Sequence, residues 1–290
     1  GLVGSEMCIR DRGDIMDYAV EVEWFDKHVG EAVQILKEKG MLENTMIVVT
    51  SDHGMPFPRI KGQIYEEGFH VPFIVYWKGK VMGGRSVDDF IGFHDIAPTL
   101  LEAAQIDGNF GMTGKSFINL LTSKKSGRID KKRDHMILIK ERHDVGRANE
   151  DGVNLGYPVR AIRTDEYLYV VNYKPERWPV GNPEYDYRNC DNSPTKSYLT
   201  GLKPGDKDYR YNEMAFAKRP GEEFYLIKED PHCMKNQALN PEYRKVMDKL
   251  RKRMENELKR TGDPRMYGKG DIFDKYPYMG KALDYSKKIK

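Results

Sequence analysis

A short apolar run that ends in polar residues is the feature that most constrains this chain. Residues 46–49 have the length and β-branched content of a buried strand in a parallel sheet. The sequence Thr50-Ser51-Asp52-His53-Gly54 overlaps its end. Because open α/β sheets bind ligands at the carboxyl ends of their strands, we expect Asp52 and His53 to lie at a functional site.

The chemistry of these side chains favours a metal and anion site. A carboxylate is an oxygen ligand for a hard divalent cation, and an imidazole can ligate a metal or donate a hydrogen bond to an anion. Lys61 adds a positive charge nearby, before a second apolar run at residues 73–77. The alternative is an ordinary turn, with Asp52 capping backbone N–H groups and Gly54 at positive φ. The combined pattern favours the site.

The surrounding sequence predicts part of an α/β domain. A helix with an apolar stripe precedes residues 46–49, ends near Gly40 and is expected to cover a sheet. After the second strand, Pro98 suits the first turn of another helix. The order helix, strand, loop, strand, helix fits half of a doubly wound domain. The stripe of the first helix consists of Ile15, Tyr18, Val22, Phe25, Val29, Val33 and Leu36.

The sequence after the polar stretch at residues 122–133 predicts a second subdomain with an antiparallel sheet. One strand is expected at 136–139, a hairpin around Asp165-Glu166, and a further strand at 224–227. Asn240 and Pro241 predict the start of a helix that Gly262 ends. Its apolar stripe contains Tyr243, Val246, Leu250, Met254 and Leu258.

Composition limits the function classes. With 290 residues, of which 39% are hydrophobic, the chain can bury a core. A net charge of +3 permits a polyanionic sugar substrate but gives no reason to expect nucleic-acid binding. No membrane span is expected. The three cysteines show no zinc-ligand spacing.

Several segments resemble the C-terminal half of a type I sulfatase of the alkaline-phosphatase-like superfamily. They lie at residues 52–58, 157–163, 174–179 and 193–198 and together span most of the chain. Within that family they look most like the N-sulfoglucosamine sulfohydrolase, or heparan N-sulfatase, branch. The resemblance implies an α/β fold: the C-terminal half of a doubly wound sheet, followed by a smaller α+β subdomain with an antiparallel sheet.

The resemblance also implies roles for individual residues. Asp52 matches a ligand of the active-site calcium, and His53 stands where many sulfatases have a metal-binding asparagine. Calcium prefers oxygen ligands, whereas imidazole suits zinc or manganese better. Either His53 binds the metal weakly and mainly faces the substrate anion, or the metal is not calcium. Lys61 matches a catalytic and substrate-binding position that contacts the sulfate group, although by itself it reads as an exposed loop lysine.

A second candidate cluster follows the strand at residues 136–139. By resemblance, Glu141, Arg142 and His143 lie where the C-terminal subdomain contacts the sugar. Their side chains can hydrogen-bond hydroxyl or carboxylate groups of a glycosaminoglycan. The alternative, a solvated strand end, is equally compatible with the sequence.

Other expected sulfatase features do not occur in this sequence. No Cys or Ser stands in the Cys/Ser-x-Pro-x-Arg motif that yields the formylglycine nucleophile, and no paired aspartates precede Asp52. We therefore expect a fragment, with the formylglycine in a missing N-terminal half. Residues 1–12 look like a sequencing artefact, residues 13–121 like part of the catalytic domain, and residues 134–290 like the C-terminal subdomain and tail.

The predicted function is hydrolysis of a sulfuric ester or sulfamate, with N-sulfoglucosamine of heparan-type chains as the favoured substrate. The resemblance implies a periplasmic, secreted or lysosome-like compartment. A metal-dependent phosphodiesterase or phosphomonoesterase of the same superfamily is an alternative, which His53 favours and Lys61 disfavours. A non-catalytic glycan-binding remnant is the other alternative.

Overall fold

The computed structural model describes residues 5–108, 110–148 and 154–279, with the backbone alone at 5–11. The chain divides into two compact units. Unit 1 comprises Gly1–Glu21, Asp52–Val71 and Ile137–Lys290, and unit 2 comprises Val22–Ser51 and Pro72–Met136. All six predicted site residues belong to unit 1. The domain limits expected from the sequence stay a prediction.

The helices and strands have the following bounds. The helices are α1 (Ser5–Glu38), α2 (Glu66–Phe69), α3 (Ile96–Ala103), α4 (Ile118–Thr122), α5 (Pro194–Gly201), α6 (Tyr209–Phe216), α7 (Arg244–Arg260) and α8 (Ile272–Lys275). The strands are β1 (Met46–Thr50), β2 (Phe73–Trp77), β3 (His135–Lys140), β4 (Val159–Thr164), β5 (Tyr167–Asn172) and β6 (Glu222–Leu226). Short 3-10 helices occur at Leu42–Asn44, Phe93–Asp95, Pro183–Tyr185, Pro241–Tyr243 and Pro264–Tyr267.

Both predicted strands of unit 2 are present, but the expectation that the first one is a buried strand of a parallel sheet is wrong. β1 pairs antiparallel with β2, with Met46 opposite Trp77 and Thr50 opposite Phe73. All five residues of β1 are half-buried. The apolar run identifies a strand, but its direction depends on the partner that it pairs with, which the local sequence does not specify.

Helix α1 is present and ends as predicted, at Glu38 before Gly40, whose φ is +68°. The expectation that its whole stripe covers a sheet is wrong for the described residues. Ile15 and Phe25 are 54% and 53% exposed. Spacing alone predicts an amphipathic face but not what covers it. The helix begins at Ser5, inside the stretch interpreted as an artefact; that interpretation stays a prediction. The half-buried stripe residues are Tyr18, Val29, Val33 and Leu36.

Unit 1 contains the predicted antiparallel sheet, with strand order β3-β4-β5-β6. In the β4–β5 hairpin, Val159 lies opposite Asn172 and Arg163 opposite Leu168. Alternate residues of β5 face different cores, as the two-residue period of a strand requires. Leu168 and Val170 pack in one core with Tyr65, whereas Tyr169 and Val171 pack in another with Met254 of α7.

The start and the end of the predicted C-terminal helix are confirmed, and its buried face also includes Met247, which the sequence analysis did not name. The side chain of Asn240 accepts a hydrogen bond from the backbone N–H of Glu242, and Pro241 begins the 3-10 turn that leads into α7. The buried residues of α7 are Met247, Leu250, Met254 and Leu258. Gly262, at φ +80°, follows the last turn. In the described parts of the chain, every helix is too short or too polar to cross a membrane.

Candidate active site

The Asp52-His53-Gly54 turn follows β1 and packs closely against the backbone of residues 67–68. The N–H of Gly54 donates to the carbonyl oxygen of Gly68 at 3.2 Å. A Cβ atom on Gly54 would lie 1.8 Å from the carbonyl oxygen of Glu67, so only glycine fits without movement of the backbone. Glycine therefore allows close approach here, and the positive φ weighed for Gly54 is not observed.

Asp52 and His53 lie side by side at this turn. His53 Nε2 is 3.4 Å from Asp52 Oδ2, and the carboxylate also accepts the His53 backbone N–H at 3.0 Å. The Asp52 side chain is 85% exposed. One exposed carboxylate and one imidazole are suitable donors for part of a divalent metal site. Across the described ranges, no group of three or more His, Cys, Asp and Glu side chains is arranged to hold a metal ion, so such a site needs further ligands.

Lys61 is held by a residue that the sequence did not single out. Its Nζ atom donates to Asp191 Oδ2 at 2.6 Å, and the Lys61 side chain is 24% exposed. An ammonium group carries three N–H donors, so one bond to Asp191 fixes its position and still allows contacts with an anion. The two residues are 130 positions apart in the chain, so no local pattern links them.

The loop that carries Asp191 is fixed by the Ser193-Pro194-Thr195-Lys196 motif. Ser193 caps α5 by accepting the Lys196 N–H, and Pro194 occupies the first turn. The buried Lys196 Nζ donates to the Cys190 carbonyl and to Asn192 Oδ1, both at 3.0 Å. In the sequence analysis, residues 193–198 served only for the resemblance to a sulfatase branch. In the structure this segment positions Asp191, the partner of Lys61.

His143 lies beside the backbone of the residue after Lys61. A Cβ atom on Gly62 would lie 2.7 Å from His143 Nδ1, so it would displace the imidazole ring, and the φ of +69° also favours glycine here. His143 remains accessible to solvent, yet desolvation lowers the pKa of its ring to about 4, and the positive charge of Lys140 acts in the same direction. The imidazole is therefore neutral near pH 7.

Glu141 and Arg142 are bonded both to residues in or near β4 and to the C-terminal part of the chain. Both oxygens of Glu141 accept from Arg265 at 2.6 Å, and Oε1 also accepts from Arg160 at 2.6 Å. Arg142 Nη2 donates to the Tyr276 carbonyl oxygen at 2.9 Å. These contacts provide structural roles for both residues. The predicted contacts of Glu141, Arg142 and His143 with sugar stay predictions.

The loop after Lys61 is anchored to the sheet by a bidentate ion pair. Arg163 Nε and Nη2 donate to the two carboxylate oxygens of Glu66 at 2.7 and 2.9 Å. Burial raises the pKa of Glu66, but hydrogen bonds from His70 and Arg163 outweigh that effect and lower it to about 2. Glu66 is therefore ionised near neutral pH and ties α2 to β4.

Two family models match this chain. The sulfatase family model matches residues 5–106, and the model of the C-terminal region of N-sulphoglucosamine sulphohydrolase matches residues 58–192. The second match contains Lys61, the Glu141 to His143 cluster and Asp191. The candidate residues therefore fall within regions that sulfatases share.

The curated relatives that match most of this chain include the following two sulfatases. It is 32% identical over 254 residues to an ulvan-active sulfatase of Formosa agariphila, covering 86% of this chain and 39% of the relative. It is 24% identical over 260 residues to human N-sulphoglucosamine sulphohydrolase, covering 87% of this chain and 49% of the relative. The chain thus spans less than half the length of either protein.

A solved structure of BT4656 in complex with its substrate D-glucosamine-2-N,6-O-disulfate shares the fold. The likeness covers 82% of this chain and 39% of that one, with a TM-score of 0.55 and 19% sequence identity. At this identity the likeness concerns the fold alone. From the family models, the curated relatives and the shared fold, we conclude that the chain belongs to the sulfatase family.

Proposed function

We propose that the whole protein removes sulfate groups from sulfated glycans, with N-sulfoglucosamine of heparan-type chains as the favoured substrate. The observation that carries this proposal is the oriented ammonium group of Lys61 within the region matched by the N-sulphoglucosamine sulphohydrolase model. The name of the human relative and the sugar bound to BT4656 support a glucosamine substrate.

In this proposal, different residues of the chain contact the sulfate group and the sugar. Lys61 would contact the sulfate and offset the negative charge that develops on its oxygens during transfer. Asp191 would hold the ammonium group of Lys61 in its orientation. His143, neutral near pH 7, would exchange hydrogen bonds with a sugar hydroxyl. Both oxygens of Glu141 already accept from arginine, so a contact of Glu141 with the sugar would be made in addition to these bonds.

Members of this family typically depend on a divalent metal and a formylglycine. Asp52 and His53 would supply two ligands to that metal, which we propose is calcium, with the other ligands outside the described residues. When bound, the metal supplies positive charge that polarises the sulfate oxygens. The Asp52 carboxylate is a suitable oxygen ligand for calcium, whereas His53 suits it less well.

The test compares two variants of the whole protein on two substrates. Lys61→Ala should lower kcat/KM for both N-sulfoglucosamine and a small aryl sulfate, because Lys61 faces the group that is transferred. His143→Ala should lower kcat/KM for N-sulfoglucosamine but not for the aryl sulfate. The loss should correspond to about 1–3 kcal/mol of transition-state stabilisation, the order expected for an unpaired polar contact.

Lys228→Ala is the matched control, since Lys228 is also paired with a carboxylate but is 68% exposed. It should leave both substrates unaffected. Equal losses in His143→Ala on both substrates would reject its role in sugar recognition. A whole protein that cleaves only phosphate esters would reject the sulfatase proposal.

A further inference from the structure

A small internal cavity in unit 1 is lined by polar side chains that the proposed function does not use. Its volume is about 10 Å³, which is room for one water molecule or one monatomic ion. Its lining joins the loop after Lys61 to the antiparallel sheet and to the segment before β6. Its lining includes Gln63, Tyr65, Lys140, Tyr157, Asn172, Arg219 and Glu223.

Several hydrogen-bond donors around this cavity lack acceptors. Gln63 Nε2, the Tyr157 hydroxyl and Arg219 Nε are buried and find no hydrogen-bond partner in the described structure. Gln63 is 6% exposed and Tyr157 is 2% exposed. Lys140, at 8% exposed, makes a long hydrogen bond of 3.3 Å to the Pro179 carbonyl. Unmet donors at such depth favour a bound acceptor.

The carboxylate that lines the cavity is already engaged. Glu223 Oε2 accepts from the hydroxyls of Tyr65 at 2.8 Å and Tyr225 at 2.6 Å. Its Oε1 accepts from Asn172 Nδ2 at 2.8 Å. Glu223 balances one of the two positive charges that Lys140 and Arg219 bring when both are protonated. The cavity then has one unmatched positive charge in addition to its surplus of donors.

A single water molecule does not resolve this surplus. Water has two acceptor lone pairs and needs acceptors for its own two hydrogens, whereas a monatomic anion accepts from all of the surrounding donors. We propose that this cavity binds one monatomic anion of about the size of chloride, held by Lys140, Tyr157, Gln63 and Arg219. This site does not depend on the proposed sulfatase activity.

The charge of Lys140 is consistent with such a site. Burial, followed by the positive charges of Arg147 and Arg219, holds the pKa of Lys140 well below its ordinary value. An anion beside the ammonium group would oppose all three effects. The anion would thus keep Lys140 protonated inside the protein.

Thermal unfolding of the 290-residue chain tests the proposal. At constant ionic strength, replacing methanesulfonate with chloride should raise Tm, because a ligand that binds only the folded state stabilises it by mass action. Lys140→Met should abolish this response. Tyr157→Phe keeps the ring and removes one donor, so it should raise the apparent chloride Kd about tenfold.

Lys228→Met is the control, because this exposed lysine should leave the chloride response unchanged. A wild-type Tm that does not depend on chloride would overturn the proposal. The proposal would also be overturned if the Tm of Tyr157→Phe depended on chloride as strongly as the Tm of the wild type. This second comparison keeps the test decisive if Lys140→Met does not fold.

Crystals grown in bromide provide an independent test. A bromide in the cavity should give an anomalous-scattering peak within hydrogen-bonding reach of Lys140 Nζ and the Tyr157 hydroxyl. Density for a water without anomalous signal at that position would show that the donors share a solvent molecule and would reject the anion.

Discussion

At the scale of single residues, two glycines shape the candidate site. Gly54 allows the Asp-His-Gly turn to touch the backbone at Glu67, and Gly62 allows the chain to touch the ring of His143. Neither contact leaves room for a Cβ atom. The close contacts that these two glycines allow therefore help to position the side chains of Asp52, His53 and His143.

Gly54→Ala should destabilise unit 1 by more than about 2 kcal/mol, because its Cβ would overlap a backbone oxygen that cannot rotate away. Gly201→Ala is the matched control. It lies in α5, where an added Cβ meets no atom within 4 Å, so its effect should be neutral or slightly stabilising. Urea unfolding of the 290-residue chain measures both, and similar midpoints for the two variants would contradict the steric argument.

The neutral state of His143 can be measured directly. In a two-dimensional NMR titration, its imidazole should protonate near pH 4, well below the ordinary value of 6.5. Because the unfolded chain takes up that proton at higher pH, His143 should contribute stability above about pH 6.5, and this contribution should be lost as the pH falls through 4. His70 should titrate above 6.5, since a hydrogen bond to Glu66 raises its pKa. A normal pKa for His143 would remove the argument that it is a neutral hydrogen-bond partner.

At the scale of elements, the loop with Lys61 is joined to the sheet through Glu66 of α2 and Arg163 of β4. The two oxygens of Glu66 each receive one guanidinium bond. Paired N–H donors fix the orientation of a carboxylate as well as its distance. The pair thereby connects the segment between β1 and β2 to the antiparallel sheet.

Glu66→Gln should reduce the free energy of unfolding by about 2 kcal/mol at pH 7. This value is the energy of the pKa shift, reduced because the Glu66 side chain is partly exposed to solvent. The pKa of Glu66 is about 2 in the folded protein and 4.5 in its ordinary state, so the unfolded chain binds more protons between these values. Its stabilisation is therefore complete above pH 4.5 and is lost as the pH falls through 2.

Glu166→Gln removes an exposed partner of Lys228 and should change stability by less than about 0.5 kcal/mol. Unfolding measured against pH should show a shallower acid limb for Glu66→Gln alone. Equal acid limbs for wild type and Glu66→Gln would assign the acid sensitivity to other carboxylates.

The sequence predicted those elements whose signals are local. Asn240 and Pro241 at the start of the C-terminal helix, and Gly262 after it, act through neighbours along the chain, and all three predictions are confirmed. Contacts between distant residues could not be predicted in this way. Lys61 and Asp191 are 130 positions apart, and Glu141 and Arg265 are 124 apart. Their pairing depends on tertiary packing.

At the scale of the whole molecule, unit 1 contains the proposed sulfate and sugar contacts and one turn with two candidate metal ligands. Binding and turnover have different requirements in a sulfatase. An oriented lysine is enough to attract a sulfate group, whereas hydrolysis also needs a nucleophile and a complete metal site. The 290-residue chain contains the oriented lysine but not the nucleophile motif, so the two requirements can be tested separately.

We therefore expect the purified 290-residue chain to release no sulfate from N-sulfoglucosamine or from an aryl sulfate. Its sequence contains no Cys/Ser-x-Pro-x-Arg motif, and its described residues hold no group of three or more potential metal ligands. Ion chromatography of released sulfate makes the measurement, with the whole protein as the positive control. Turnover by the chain alone that disappears in Asp52→Asn would show that a different nucleophile acts at this site.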